Sequence, residues 1–321
     1  MVAAKQSLFF ALITIVVVSI HLIVGDMPPW VDITVLMLSL VITGIPHGAI
    51  DHVIYLTKAN VIKRKASLFR DFFIPYVGLI GLTIIVWVII PDYMFWIFLL
   101  VAAYHFGQSQ LFYIPNTLHP FFKGLMYALW GIMLLSGLWH VHWESQVANI
   151  SSVFSWDLSN NGSLYVMIEV VSKISLVLII GGFLLLWLTK TIGIKTMLVE
   201  LMVVGILLGM IQVLPLYTAF AIYFGLWHSM RVILTEFYFL KKASFAKLTI
   251  SGFVKSFIPF SILSFAGLAL LIGISYLLES KITPFMLFLI FISSLTMPHA
   301  FFMEKMYGWL SFRKTKIPAV A

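Results

Sequence analysis

There is no cysteine in this chain. That absence removes disulfides, thiolate nucleophiles and iron–sulfur clusters in one step, and it disfavours thiolate-preferring metals. Charge is scarce as well. Only 10% of residues are Asp, Glu, Lys or Arg, against 62% hydrophobic, far from the balance of an ordinary water-soluble domain. The apolar runs lack period-two alternation, which excludes a transmembrane barrel. No two histidines stand three or four residues apart, so the histidine boxes of a di-iron membrane desaturase or hydroxylase are missing. Nor is there a convincing internal repeat of the kind that related transporter halves show, although Pro46-His47 and Pro298-His299 echo each other.

What the chain has instead is about ten continuous apolar segments, each roughly the 17–25 residues that cross a bilayer as helix. The reading is an all-α, polytopic transmembrane helical bundle. Its helices fall near 7–25, 33–57, 71–90, 93–114, 120–139, 171–189, 196–213, 215–240, 253–278 and 284–308. The first run has no small-x-small cleavage site and continues into His21 and Asp26, so it reads as a retained helix. Basic residues collect in every second connection. They start at Lys5 and recur at Lys58 to Arg70, at Lys123, at Lys190 and Lys195, at Lys241 to Lys255, and at Arg313 to Lys316. That alternation predicts a multi-pass protein of a bacterial or archaeal cell membrane with both termini in the cytoplasm, and it accounts for the net charge of +8 without nucleic acid. Residues 1–321 form one integral membrane domain on this reading. The segment 140–170 is then an extracytoplasmic loop whose tryptophans suit an interfacial helix. His21, His119, His140 and His142 read as interfacial residues.

Five histidines do not fit that belt. Gly44-Ile45-Pro46-His47-Gly48-Ala49-Ile50-Asp51-His52 places proline, two histidines and an aspartate inside an apolar span, and His105, His228 and His299 sit in similar settings. Ionisable groups in hydrocarbon are costly and point to function. In the predicted topology the helices of His47, His105, His228 and His299 run the same way. At ~1.5 Å per residue the four side chains lie roughly 18–23 Å below the outer face. One level shared by four imidazoles suits iron, zinc, copper or nickel in a bundle core. Any one of them alone reads equally well as a histidine bonded to a neighbouring carbonyl. Asp51 shares the face of His47 at i+4 and can orient a ligand imidazole, while Arg231 follows His228 by three and is expected to pair with Asp51. His52 lies about 140° round the helix from His47. It becomes the alternative fourth ligand only if the kink at Pro46 rewinds the helix.

The stretch from Gly44 to His52, together with Tyr104-His105-Phe106-Gly107, Trp227-His228-Ser229-Met230-Arg231 and Met297-Pro298-His299, resembles the motifs of the Brp/Blh family. These are bacterial and archaeal membrane β-carotene 15,15′-dioxygenases, often found beside microbial rhodopsins. The resemblance implies an Fe2+ oxygenase that takes a carotenoid from the lipid phase and cleaves its central double bond with O2. Two molecules of retinal result, available to a rhodopsin. Histidine ligation carries over to His47, His105 and His228; either His299 completes the set, which its depth favours, or the chain is a divergent relative with a changed activity. Family members often have a second histidine four residues after the His-Ser motif, and here that place is Val232. Asp51, Arg231 and Tyr104 are the catalytic candidates. Phe106, Tyr223, Phe224, Trp227 and Phe301, which neighbour the proposed ligands, are the candidates for holding the polyene. The alternatives are a transporter that uses the buried His, Asp and Arg as a substrate path, and a haem or metal redox protein.

Overall fold

The computed structural model describes residues 2–59, 69–115, 118–154, 162–243, 248–277 and 282–312. Among them there are helices and no strand. In hydrocarbon every backbone polar group needs an internal partner, and a continuous apolar run can meet that demand only as helix. The elements are α1 (Val2–Val24), α2 (Pro29–Ser39), a single turn α3 (Ile45–Gly48) and α4 (Asp51–Ala59). They continue as α5 (Ile74–Ile89), α6 (Pro91–Leu111), α7 (Pro120–Val141), α8 (Trp143–Ser151), α9 (Gly162–Leu188) and α10 (Ile194–Val213). The last are α11 (Leu216–Ala221), α12 (Arg231–Ala243), α13 (Ile250–Leu277) and α14 (Pro284–Phe312). Three π-helical stretches join or extend them: Leu40–Gly44, Phe69–Phe73 and Ile222–Met230.

The polytopic all-α reading is thus borne out. Among the described residues, eight helices are long and apolar enough to cross a membrane. The predicted spans 93–114 and 215–240 correspond to α6 and to α11 with its π-helical extension, and neither reaches that apolarity. The reason is local: Tyr104, His105, Gln108, Ser109 and Gln110 load one, and His228 and Arg231 the other. The two least apolar long helices are therefore those that carry His105 and His228. Within 140–170 the short helix α8 occupies the first third. Lys63, Arg64, Lys65, Lys247, Lys281 and the basic tail from Arg313, on which the sidedness reading leans, lie outside the described residues, as does 155–161.

Prolines set many of the starts. Pro29, Pro91, Pro120 and Pro284 each stand in the first turn of their helix, where the missing N–H costs nothing. Pro259 and Pro298 lie inside α13 and α14. Helix α1 ends on Gly25 in the left-handed region (φ 81°), whose N–H reaches the His21 carbonyl at 2.8 Å.

The chain divides into two compact units, with borders inside helices α6 and α8 among others. The first comprises Met1–Gly44, Ala103–Val147 and Leu158–Arg231, the second Ile45–Ala102, Ala148–Asp157 and Val232–Ala321. In the first, α6 and α7 cross at small residues. A methyl on Gly107 would enter the Tyr127 backbone, and one on Gly131 would enter that of Ala103. Helices that associate without a hydrophobic driving force use such close approach, because contact and interhelical hydrogen bonds supply the attraction. In the second unit, α5 and α14 are tied by the indole N–H of Trp87, which donates to Ser293 Oγ at 2.7 Å.

Backbone cannot yield to a methyl as a flexible side chain can. Gly107→Ala is therefore expected to destabilise the protein by about 1–3 kcal/mol, read as a lower thermal midpoint in detergent. Gly81→Ala, at a position with open space around it, leaves the midpoint unchanged.

Candidate metal centre

In the first unit His228 sits in the π-helical stretch Ile222–Met230 and is buried. A π-turn carries an extra residue, and such turns recur at functional sites because they re-aim side chains. Here the widening is held by the π-helical stretch Leu40–Gly44 of the same unit. Gly225 lies against Ser39 and Thr43, and Gly44 against the ring of Phe224, so close that a Cβ at either position would collide. Ser39 Oγ donates at 3.0 Å to the carbonyl of Ala221, the residue just before the π-turn begins. Thr218 Oγ1 donates to Asp32 Oδ1 at 2.7 Å and fixes the start of α11 to α2.

The imidazole of His228 meets that of His105, buried on α6, with ring centroids 5.0 Å apart and planes at 79°. Ser109, one turn beyond His105, decides the tautomer. Its hydroxyl has a single proton and donates it to the Phe106 carbonyl at 2.8 Å. Toward His228 Nδ1, 2.9 Å away, the same oxygen then acts as acceptor. Both contacts are made together when Nδ1 of His228 carries the hydrogen, which leaves the lone pair on Nε2.

A parallel arrangement occurs in the second unit. His47 and His299 are buried, with ring centroids 4.7 Å apart at 90°. Asp51 accepts from His299 Nδ1 at 3.0 Å on both carboxylate oxygens, and Tyr76 OH donates to Asp51 Oδ2 at 3.2 Å. A carboxylate can only accept, so Nδ1 of His299 is the protonated nitrogen and Nε2 is again the basic one. Gly48 lies against the His299 ring, where even a Cβ would only touch. His52 is placed differently: its ring packs on Phe260 at 4.3 Å and stacks near Phe73.

The other predicted residues separate into two groups. Phe106, Tyr223 and Phe224 are buried around His228: Phe106 lies 4.8 Å from its ring, and Phe224 stacks on it at 5.7 Å and 20°. Tyr223 meets Phe106 at 5.2 Å. Tyr104, on α6, meets Tyr127 edge-on at 5.7 Å. Trp227 is committed to α1 instead, with its indole N–H on Thr14 Oγ1 at 2.9 Å and its ring against Phe10. Arg231, 1% exposed, also turns to α1. It donates to Ser7 Oγ at 3.1 Å and lies over the rings of Phe10 and Trp227. Phe301 is 49% exposed, with the Lys305 ammonium 4.3 Å above its ring. Val232, where the family often has histidine, is fully buried.

Of the interfacial histidines, His119 caps α7 by accepting the Phe121 N–H, and His21 lies 3.9 Å from Asp26. His142 Nε2 donates to the Ile211 carbonyl at 3.1 Å; burial pushes its pKa below the usual imidazole value, and that bond offsets part of the shift.

Sequence reasoning overlooked Ser109, Tyr76 and the π-turns. Ser109 had a signal, since it shares a helix face with His105 at i+4. Glu200 was also missed: it is buried on α10 and accepts from Gln110 Nε2 at 2.9 Å, which anchors the end of α6.

The family model for beta-carotene 15,15′-dioxygenase matches residues 38–307, nearly all of the described helices. The chain belongs to that family. No curated protein and no solved structure matches it. As a β-carotene 15,15′-dioxygenase it is a carotenoid-cleaving oxidoreductase, and a carotenoid and O2 follow as its reactants. The donors fit a metal cofactor of such an enzyme. In each unit a buried imidazole has its Nδ1 tied to an oxygen that accepts, Ser109 in one and Asp51 in the other. This is how metal-ligating histidines are usually held, because the tie fixes the ring and raises the basicity of the remaining nitrogen.

Proposed function

We propose that this dioxygenase cleaves the central double bond of β-carotene with O2 to give two molecules of all-trans-retinal, using one Fe2+ held by His47, His105, His228 and His299. The observation that carries the reading is the pair of anchored imidazoles in a member of this family, each presenting Nε2 from a buried position. His47, His105 and His228 are all buried, and each offers a ring nitrogen to an ion. His52, engaged with Phe260 and Phe73, is left out of the set.

When bound, Fe2+ supplies the activation of O2 that an apolar polyene cannot provide for itself. The protein's own part is to orient and to exclude water. Ser109 and Asp51 hold their imidazoles in one tautomer, and Tyr76 fixes the Asp51 carboxylate in turn. Phe106, Tyr223 and Phe224 wall the His228 side with flat apolar surface, against which a conjugated chain is positioned. The substrate enters sideways from the bilayer, its natural solvent, and the retinal passes on to a microbial rhodopsin. The test is expression in a β-carotene-producing bacterium. Two retinal per carotene lost, only when O2 is admitted, is the expected result. Cleavage away from the centre, or bleaching without retinal, would overturn the assignment.

The same reading places the chain in a bacterial or archaeal cell membrane as a single multi-pass domain, with both termini in the cytoplasm and 140–170 outside. It rests on the alternation of basic connections. Reporters fused after Lys65 and after Asn160 are expected on opposite sides. Matching sidedness would contradict it.

A further inference from the structure

Beyond the rings that touch His228, the first unit carries one more ring in series with them. Phe220, the half-buried last-but-one residue of α11, stacks on Phe224 with centroids 5.5 Å apart and planes at 10°. Phe224 in turn stacks on His228 at 5.7 Å and 20°. Most other ring pairs among the described residues are tilted or edge-on, which is the ordinary outcome of close packing. Here three rings at i, i+4 and i+8 face the same way. In an α-helix, four residues overshoot a full turn, so such a series drifts round the axis. The π-helical stretch Ile222–Met230 takes more residues per turn, so four residues there fall short of a full turn and do not overshoot it. The result is a series of near-parallel rings leading from half-buried Phe220 to a buried histidine.

We infer that Phe220 is a specificity-determining residue for the carotenoid, the outermost ring of a Phe220–Phe224–His228 row along which the polyene lies and which sets the double bond that reaches the metal. The inference rests on the histidine site proposed above. A rod with many equivalent double bonds offers no polar handle for centring. Its register can be fixed only by shape and by stacking contacts at a distance from the bond that breaks. Two ring steps of fixed spacing supply such a distance, and the occupant is the one apolar conjugated ligand that the family's reaction requires. Phe220 does not touch His228, so its effect is on binding and register and not on holding iron.

The test uses the full-length protein in detergent, as Phe220→Ala and Phe220→Tyr, with Phe121→Ala at an exposed ring as control. Phe220→Ala is expected to raise KM for β-carotene about tenfold, roughly the loss of one aromatic stacking contact. It should also release aldehydes of unequal length beside retinal, with iron content and thermal midpoint unchanged. Phe220→Tyr keeps the ring and restores both, and Phe121→Ala changes neither. A KM within twofold of the parent and retinal as sole product would overturn the inference. Loss of iron in Phe220→Ala would overturn it too, by making the residue part of the packing that builds the site. A second arm separates this from failure of the metal reading. In protein stripped of metal by chelator, the visible absorption shift of bound β-carotene is titrated, and the same tenfold weakening is expected. Weakened carotene binding in Phe220→Ala, when the parent as purified carries no iron, would uphold the ring row and defeat the iron site.

Discussion

Alanine at His47, His105 or His228 is expected to abolish both iron retention and retinal formation. Each imidazole is buried, and in both units a second histidine ring stands about one ring contact away. Removing one ligand from a small all-imidazole set leaves too few donors to hold a divalent ion, and no cysteine is present to substitute. The loss should therefore be all-or-none and not a change in KM. Alanine at His21, His119, His140 and His142 is expected to leave iron and retinal unaltered, since His119 caps α7, His142 bonds to the Ile211 carbonyl, His140 packs on Tyr165 and His21 lies near Asp26. His299→Ala tests the fourth ligand separately. If it keeps iron and product while His47→Ala loses them, the set is three histidines and His299 only packs against His47. If His47→Ala, His105→Ala and His228→Ala all still yield retinal, the site is elsewhere.

The next largest effect is expected from Asp51→Asn. Asparagine matches aspartate in shape but offers an amide N–H where the carboxylate offered only acceptors. Nδ1 of His299 can then accept from that amide, which moves the ring proton to Nε2 and removes the lone pair that a metal needs. Tyr76 would also lose a charged acceptor. Losing such a supporting partner typically costs 10–100-fold in metal affinity or activity, so about that loss is expected, with the protein still folded. The readout is the free Fe2+ concentration that half-restores activity after chelation. Asp51→Glu, which retains the acceptor but shifts it by one methylene, should fall between the parent and Asp51→Asn. Equal iron affinity in parent and Asp51→Asn would show that Asp51 serves packing and not ligand orientation.

Much of this is legible in the residues, for a simple reason. Apolar length is read directly off the chain, so helix number and approximate placement follow from it. A histidine in hydrocarbon is rare enough that His47, His105, His228 and His299 draw attention before any coordinate is known. What is not legible is who meets whom. That Asp51 holds His299, 248 residues away, follows from how α14 packs and not from any local pattern. Arg231 shows the opposite failure. Its place one turn beyond His228 suggests a role at the site, yet the guanidinium turns to Ser7, Phe10 and Trp227, because α1 offers a hydroxyl and a ring face there and Trp227 a second ring. Trp227 is drawn the same way by Thr14. The π-turns are hidden because backbone hydrogen-bond shifts leave no periodic trace in an all-apolar run. In the structure two of them are marked by Gly44 and Gly225, whose neighbours a methyl would strike.

The central claim is that buried histidines hold one Fe2+ at the bond-cleaving site. Iron per polypeptide, measured on the purified parent and on His228→Ala in the same preparation that is assayed for retinal, tests it most directly. One iron per chain in the parent, absent from His228→Ala together with its retinal, is the predicted result. Retinal formed by a parent preparation free of iron, or iron held equally by both proteins, would contradict it.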